Sequence, residues 1–256
     1  MTQISNVLIS LPDQITGFYG SSKFIFETCG MSGMFGPNLA KCISFYNVDW
    51  VKNDNYFSMP KRGIQKVRIP ISAEFEFTAF GAGWLNYGAM VKANVKLEIG
   101  TEIYIGIGQR GKTIYDGCGG TFVGIRKDRK FGNRSVSIKK RNENIGKEGK
   151  SGFTDWYNGG NGFYGRIEGN WENTEEMPKS FEDGLNGGKT KDYDLEGGFG
   201  GGGNGPAGGG GGGYTGGHGG WSGCGGGGGG SFTQNGTMER GHKKPGKLKI
   251  KLLQRL

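Results

Sequence analysis

Two-residue alternation of apolar and polar side chains dominates the first half of the chain. Its clearest instance is 91–99, where Val91, Ala93, Val95, Leu97 and Ile99 alternate with Lys92, Asn94, Lys96 and Glu98. That is the signature of a strand with one buried and one wet face, and a one-residue slip would invert every side chain. The same pattern predicts strands at 23–28, at 64–69 (closed by Pro70) and at 74–80, where Phe75 and Phe77 oppose Glu74 and Glu76. After a turn at Gly100-Thr101-Glu102, Ile103, Ile105 and Ile107 share one face of the next strand, with Tyr104, Gly106 and Gly108 on the other. Glycines there predict another backbone packed closely on that second face. Residues 121–123 and 135–138 extend the sheet, and no helix of ordinary length shows a 3.6-residue period.

Far along the chain, Lys247-Leu248-Lys249-Ile250-Lys251-Leu252 alternates just as strictly and reads as a closing strand. A sandwich that receives its last strand so late treats the intervening chain as an insertion. The expected organisation is therefore a β-sandwich at 18–140, an inserted glycine-rich segment at 141–230, and closing strand structure at 231–256.

Composition changes the picture in the insertion. The chain holds 56 glycines, most densely in 197–230, GGFGGGGNGPAGGGGGGYTGGHGGWSGCGGGGGG. A flexible linker is one reading of such a tract. Against it, the tract has almost no serine and carries Phe199, Tyr214, Trp221 and Cys224 as isolated large side chains. Collagen is excluded, because no Gly-X-Y register is kept and Pro206 is the tract's sole proline. The other reading is a bundle of polyglycine-II helices whose bare backbones hydrogen-bond to one another, offsetting an entropy cost of about 0.5–1 kcal/mol per glycine.

A formal charge of +9 raises polyanions as partners. Distribution weakens that reading, since 197–238 has no Lys or Arg and basic residues gather only at 126–150 and 240–255. No apolar run is long enough to span a membrane, and residues 1–11 lack a secretory signal pattern. Four cysteines permit two bridges. Cys29 and Cys42 bracket a Gly/Pro-containing loop whose ends can meet, and Cys118 and Cys224 lie in glycine-rich contexts that could tie the insertion to the sandwich. Disulfides imply an oxidising, extracellular setting, with which sequons at Asn133 and Asn235 agree. There is no metal-ligand spacing, no cofactor motif and no catalytic constellation.

FIFETCGMSGMFGPNLAKC, GIQKVRIP, EFEFTAFGAG, YGAMVKANVKLEIGTEIYIGIGQRGK, GGTFV, the polyglycine tract and a late GKLKIKLL occur in this order over 24–253. Together they resemble the extracellular glycine-rich region of the anaplastic lymphoma kinase and leukocyte tyrosine kinase receptors. The resemblance implies a mainly β fold, a tumour-necrosis-factor-like (TNF-like) jelly-roll sandwich with an inserted polyglycine-II helix bundle, and a disulfide at Cys29–Cys42. It also implies capture of a cytokine-like protein ligand with ligand-induced dimerisation, in a parent receptor whose membrane span and kinase flank this region. The departure is 127–138, basic and nearly free of glycine where the family has a second apolar strand and several glycines. Kinase motifs have no counterpart here.

Four functions compete. A protein-ligand-binding receptor ectodomain leads, and a secreted or surface glycine-rich adhesin follows, separable by what flanks the region in the gene. Nucleic-acid binding would need Arg-Gly-Gly repeats and stacking aromatics among basic residues, and the tract has neither. Enzyme activity has no recognisable residue set. Acidic residues Glu172, Glu175, Glu176, Glu182 and Asp183 could meet a basic ligand or form a solvated loop, and no contact residue is identified by sequence.

Overall fold

The computed structural model describes residues 23–127, 130–131, 152, 159–164, 174–191, 193–220, 226–233 and 235–256. The fold is mainly β, with two five-stranded antiparallel sheets. The first sheet runs in the order β1 (Lys23–Phe26), β12 (Lys247–Arg255), β4 (Ala73–Phe80), β5 (Ala89–Leu97) and β11 (Gly236–Arg240). The second is ordered β2 (Phe57–Lys61), β3 (Ile64–Arg68), β6 (Glu102–Gly106), β7 (Phe122–Lys127) and β8 (Lys130–Phe131). A short ribbon joins β9 (Thr174–Glu176) to β10 (Lys189–Thr190).

The alternation read from the sequence is realised as burial, except at Ile99, which lies beyond the end of β5 and is 67% exposed. Phe75, Phe77 and Ala79 of β4, Val91 and Leu97 of β5, and Leu248 and Ile250 of β12 are buried in one core with Val67, Ile103, Ile105 and Val123 of the second sheet. The late strand β12 is not peripheral: it pairs with β1 on one side and β4 on the other, Leu248 lying opposite both Phe26 and Ala79. Among the described strands, β2, the short β8, β9 and β10, and the edge strand β11 escaped the sequence pattern. The predicted 135–138 strand lies outside the described residues.

A short helix, α1 (Leu39–Tyr46), corrects the expectation of a helix-free loop between Cys29 and Cys42. Asn38 caps it by accepting from the Lys41 amide at 2.9 Å, and Asn47 ends it in the left-handed conformation, φ 48°. The Cys29–Cys42 disulfide ties the helix to the chain just after β1, with 5.1 Å between the Cα atoms. Beneath it, the Tyr46 hydroxyl accepts from the Glu27 amide at 2.9 Å and donates to Gln65 Oε1 at 2.7 Å. Gln65 Nε2 in turn donates to the Glu27 carbonyl at 3.0 Å, so this buried amide has both ends partnered.

The outer face of the second sheet is covered, as its glycines predict. Ile64, Tyr104 and Phe122 form a second core there with Phe163, Phe181, Leu185 and Phe199 of the insertion. Gly106 faces the Leu185 side chain, and Gly108 faces the Gly119 carbonyl.

Within the described part of the glycine-rich tract, backbone hydrogen bonds run between segments distant in sequence. Gly203 donates to the Gly210 carbonyl at 2.7 Å, Gly211 to Gly227 at 2.8 Å, Gly212 to Cys118 at 2.9 Å and Gly217 to Gly211 at 2.8 Å. The 117–120 loop joins in, with Gly117 donating to Gly203 and Gly120 to Gly200, both at 2.9 Å. Between 197 and 217 only Gly200, Gly201 and Gly208 have left-handed φ values. Elsewhere glycine is required for space: a Cβ on Gly212 would overlap the Gly200 carbonyl oxygen, and one on Gly216 the Gly160 carbonyl oxygen.

Candidate functional site

The β4–β5 connection is rigid at its base and exposed at its tip. Gly81 donates to the Ala89 carbonyl at 3.0 Å, Gly83 to Lys244 at 2.9 Å, Gly88 to His242 at 3.1 Å and Ala82 to Gly119 at 3.1 Å. A Cβ on Gly83 would stand 2.6 Å from the His242 carbonyl oxygen, so these backbones meet closely only because the residue is glycine. The loop is thereby fixed to the segment before β12 and to the loop before β7.

Opposite it, the glycine strands 208–213 and 226–230 form a second wall. Between the walls lies a cleft of about 1080 Å³. Its floor includes Asp116, Cys118 and Thr121. Thr121 Oγ1 donates to the Phe80 carbonyl at 2.6 Å and accepts from the Gly108 amide at 3.1 Å, bridging the two sheets at that end.

Four large side chains stand in solvent where the cleft opens: Leu85 is 56% exposed, Tyr87 46%, Ile114 44% and Tyr115 57%. The rim is basic. The Arg240 guanidinium lies 3.7 Å from the Tyr87 ring centroid and the Lys243 ammonium 5.0 Å, and Arg110 sits 5.1 Å above Trp84. Arg110 Nε also donates to the Gly83 carbonyl at 3.0 Å, which holds that cation in place.

The floor is poorly suited to covalent chemistry. Burial pushes the Cys118 thiol up to about 11, against a weaker lowering by a backbone hydrogen bond at Gly111 and by Arg110. Burial likewise raises the Asp116 carboxyl, whose Oδ2 accepts from the Thr113 amide at 2.6 Å while Oδ1 is buried without a partner. A thiol held protonated is a poor nucleophile.

The residues singled out from sequence are only partly gathered here. Cys118 forms no disulfide among the described residues, and Cys224 and Asn133 lie outside them. Asn235 is exposed just before β11. Of the acidic residues, Glu182 and Asp183 are exposed on the turn after Phe181, Asp183 accepting from the Ser180 hydroxyl at 2.7 Å, and neither lines the cleft. Glu176 is half-buried in β9; Glu172 and the Glu175 side chain are outside the described residues. The rim residues were missed because they are scattered over two loops, WLNY and TIYD; the available signal was four bulky apolar side chains in segments without alternation.

Among the described residues no group of three or more His, Cys, Asp or Glu could hold a metal ion, and no helix is long and apolar enough to cross a membrane. No family model matches the chain. A stretch of 106 residues, 38% of the chain, is 31% identical to the leukocyte tyrosine kinase receptor of Mus musculus, of which it covers 12%. This partial likeness suggests a region related to that receptor, and the chain spans only a small fraction of the receptor's length.

Proposed function

We propose that this chain is a protein-ligand-binding region of the receptor-ectodomain kind, non-catalytic in itself, that docks a cytokine-like partner at the cleft between the β4–β5 loop and the glycine strands. The observation that carries the reading is the display of Leu85, Tyr87, Ile114 and Tyr115 on a backbone fixed by inter-segment hydrogen bonds. Clustered exposed apolar groups mark interaction surfaces, and rigid aromatic anchors beside arginine are the composition of binding hot spots. The partial receptor likeness supports the same reading. Its finer parts are a TNF-like jelly-roll order of the sandwich, threefold polyglycine helices in the insertion, an extracellular location, glycosylation at Asn133 and Asn235, a Cys118–Cys224 bridge, and dimerisation of a membrane-anchored parent by the ligand.

The test is biolayer interferometry of the full chain, secreted from an oxidising host, against purified secreted cytokine-like proteins. One of them is expected to bind saturably, with Tyr87→Ala and Tyr115→Ala each weakening it about tenfold or more, a loss of ~1.4 kcal/mol. Tyr193→Ala, at an exposed residue outside the cleft, is expected to leave binding unchanged. Binding that survives both cleft substitutions contradicts the assignment, and binding confined to glycans favours the adhesin.

A further inference from the structure

Strand β12 turns Leu248 and Ile250 into the core and Lys247, Lys249 and Lys251 outward. Register places Lys23 of β1 beside Lys251, and Lys92 of β5 in the same cross-strand row as Lys249, separated from it by Thr78. Lys96 extends the set along β5. The acidic residues on this outer face are Glu74, Glu76 and Glu239, with Glu27 just past the end of β1 acting on the charge of Lys247; Glu76 lies opposite Lys251 and is engaged by Lys92 at 2.7 Å. Among the described residues, Lys247, Lys249 and Lys251 form no ion pair.

We propose that this outer face binds a linear sulfated polysaccharide lying along β12. Alternate residues of a strand project about 7 Å apart, so the three lysines offer a row of evenly spaced cations to a chain bearing repeated anions. The row is held in place from below: the Lys247 and Lys249 ammonium groups sit 4.9 and 5.4 Å from the Phe80 ring centroid, and His242 stacks on the same ring at 4.8 Å. Burial, and after it the charge of Lys249, lowers the Lys247 pKa, with Glu27 acting in the opposite sense. A single-stranded nucleic acid would need exposed rings for its bases to stack on, and Phe80 is covered. An anionic bilayer would want protruding apolar groups, whereas Glu74 and Glu76 stand on this face. The extracellular reading above selects sulfated polysaccharide among polyanions; the cleft and its ligand are not involved.

The full chain would be tested by surface plasmon resonance on immobilised heparin at rising salt. Binding is expected near 0.15 M salt, weakening steeply as counterions compete. The triple substitution Lys247→Gln, Lys249→Gln, Lys251→Gln is expected to lower affinity at least tenfold, and the matching Lys→Arg triple to keep it. A charge-matched triple elsewhere, Lys41→Gln, Lys52→Gln and Lys179→Gln, should change it less than threefold. Absence of heparin binding by the folded chain, or equal loss in the two Gln triples, overturns the proposal. So does preferential binding of phosphatidylserine vesicles or of oligothymidylate through the β12 lysines. None of these results bears on the Tyr87→Ala measurement.

Discussion

The Leu185 side chain occupies the space in which Gly106 would otherwise carry a Cβ. Leu185 is fully buried and left-handed, φ 64°, and its carbonyl accepts from the amides of Gly200 and Gly201 at 2.8 and 3.2 Å. One residue thus joins the outer face of the second sheet to the glycine tract. Gly106→Ala should drive a methyl into this buried leucine and destabilise the fold by about 1–3 kcal/mol. Urea unfolding followed by tryptophan fluorescence would measure it. Gly100→Ala is a weaker comparison, because nothing lies within 4 Å of its Cβ position and only its φ of +82° opposes the change.

The disulfide closes a sequence separation of 13 residues and anchors α1 over the core. A double Cys29→Ala, Cys42→Ala variant should lose about 2–4 kcal/mol, largely by releasing the unfolded chain. A lower thermal midpoint with the strand signal of circular dichroism retained would be the expected record.

Alkaline pH should weaken the fold. The Cys118 thiol is raised from 9.0 to about 11 by burial, and the Tyr46 phenol is also raised, again chiefly by burial. An acid raised in the folded state holds its proton where the unfolded chain has lost it. Its contribution is therefore complete below the unfolded value and disappears as pH climbs from about 9 through 11. Guanidinium midpoints at pH 7.5, 9 and 10.5 should fall in that order, and Cys118→Ala should fall less steeply.

Asp116 has the opposite practical consequence at neutral pH. Its carboxyl is raised from 3.8 mainly by burial, so the fold favours the neutral acid and this preference is lost as pH rises above about 4. Asp116→Asn keeps an oxygen for the Thr113 amide and removes the buried charge. Its thermal midpoint should match or exceed the parent's at pH 7 and show no such gain at pH 4.

Much of the sandwich was legible because burial on one face imposes alternation on the sequence. β4, β5 and β12 bury side chains at alternate positions, whereas β6 buries Ile103 to Gly106 in succession because its outer face is covered too; the glycines at 106 and 108 announced that cover, a backbone at Gly108 and the Leu185 side chain at Gly106. β11 was illegible for the converse reason: all five of its residues are exposed, so no periodic constraint marks it. β2 contains Pro60 and its pairing to β3 shifts register between Ser58 and Lys61, which suppresses a strand reading. The helix α1 was hidden by its length, eight residues with Cys42 alone buried, which gives too few turns for a period. The cleft required the fold itself, since Tyr87 and Tyr115 are brought to one opening only by tertiary contacts of the glycine walls.

The central claim is that the glycine tract is ordered by hydrogen bonds between its own segments, since the cleft has no fixed wall without them. Amide hydrogen exchange resolved by NMR tests it directly. Gly203, Gly211, Gly212 and Gly217, which donate to Gly210, Gly227, Cys118 and Gly211, are predicted to exchange at least a hundredfold more slowly than the unfolded chain. Exchange of these four amides at the unfolded rate, in oxidised protein whose β4 and β12 amides remain protected, would contradict it.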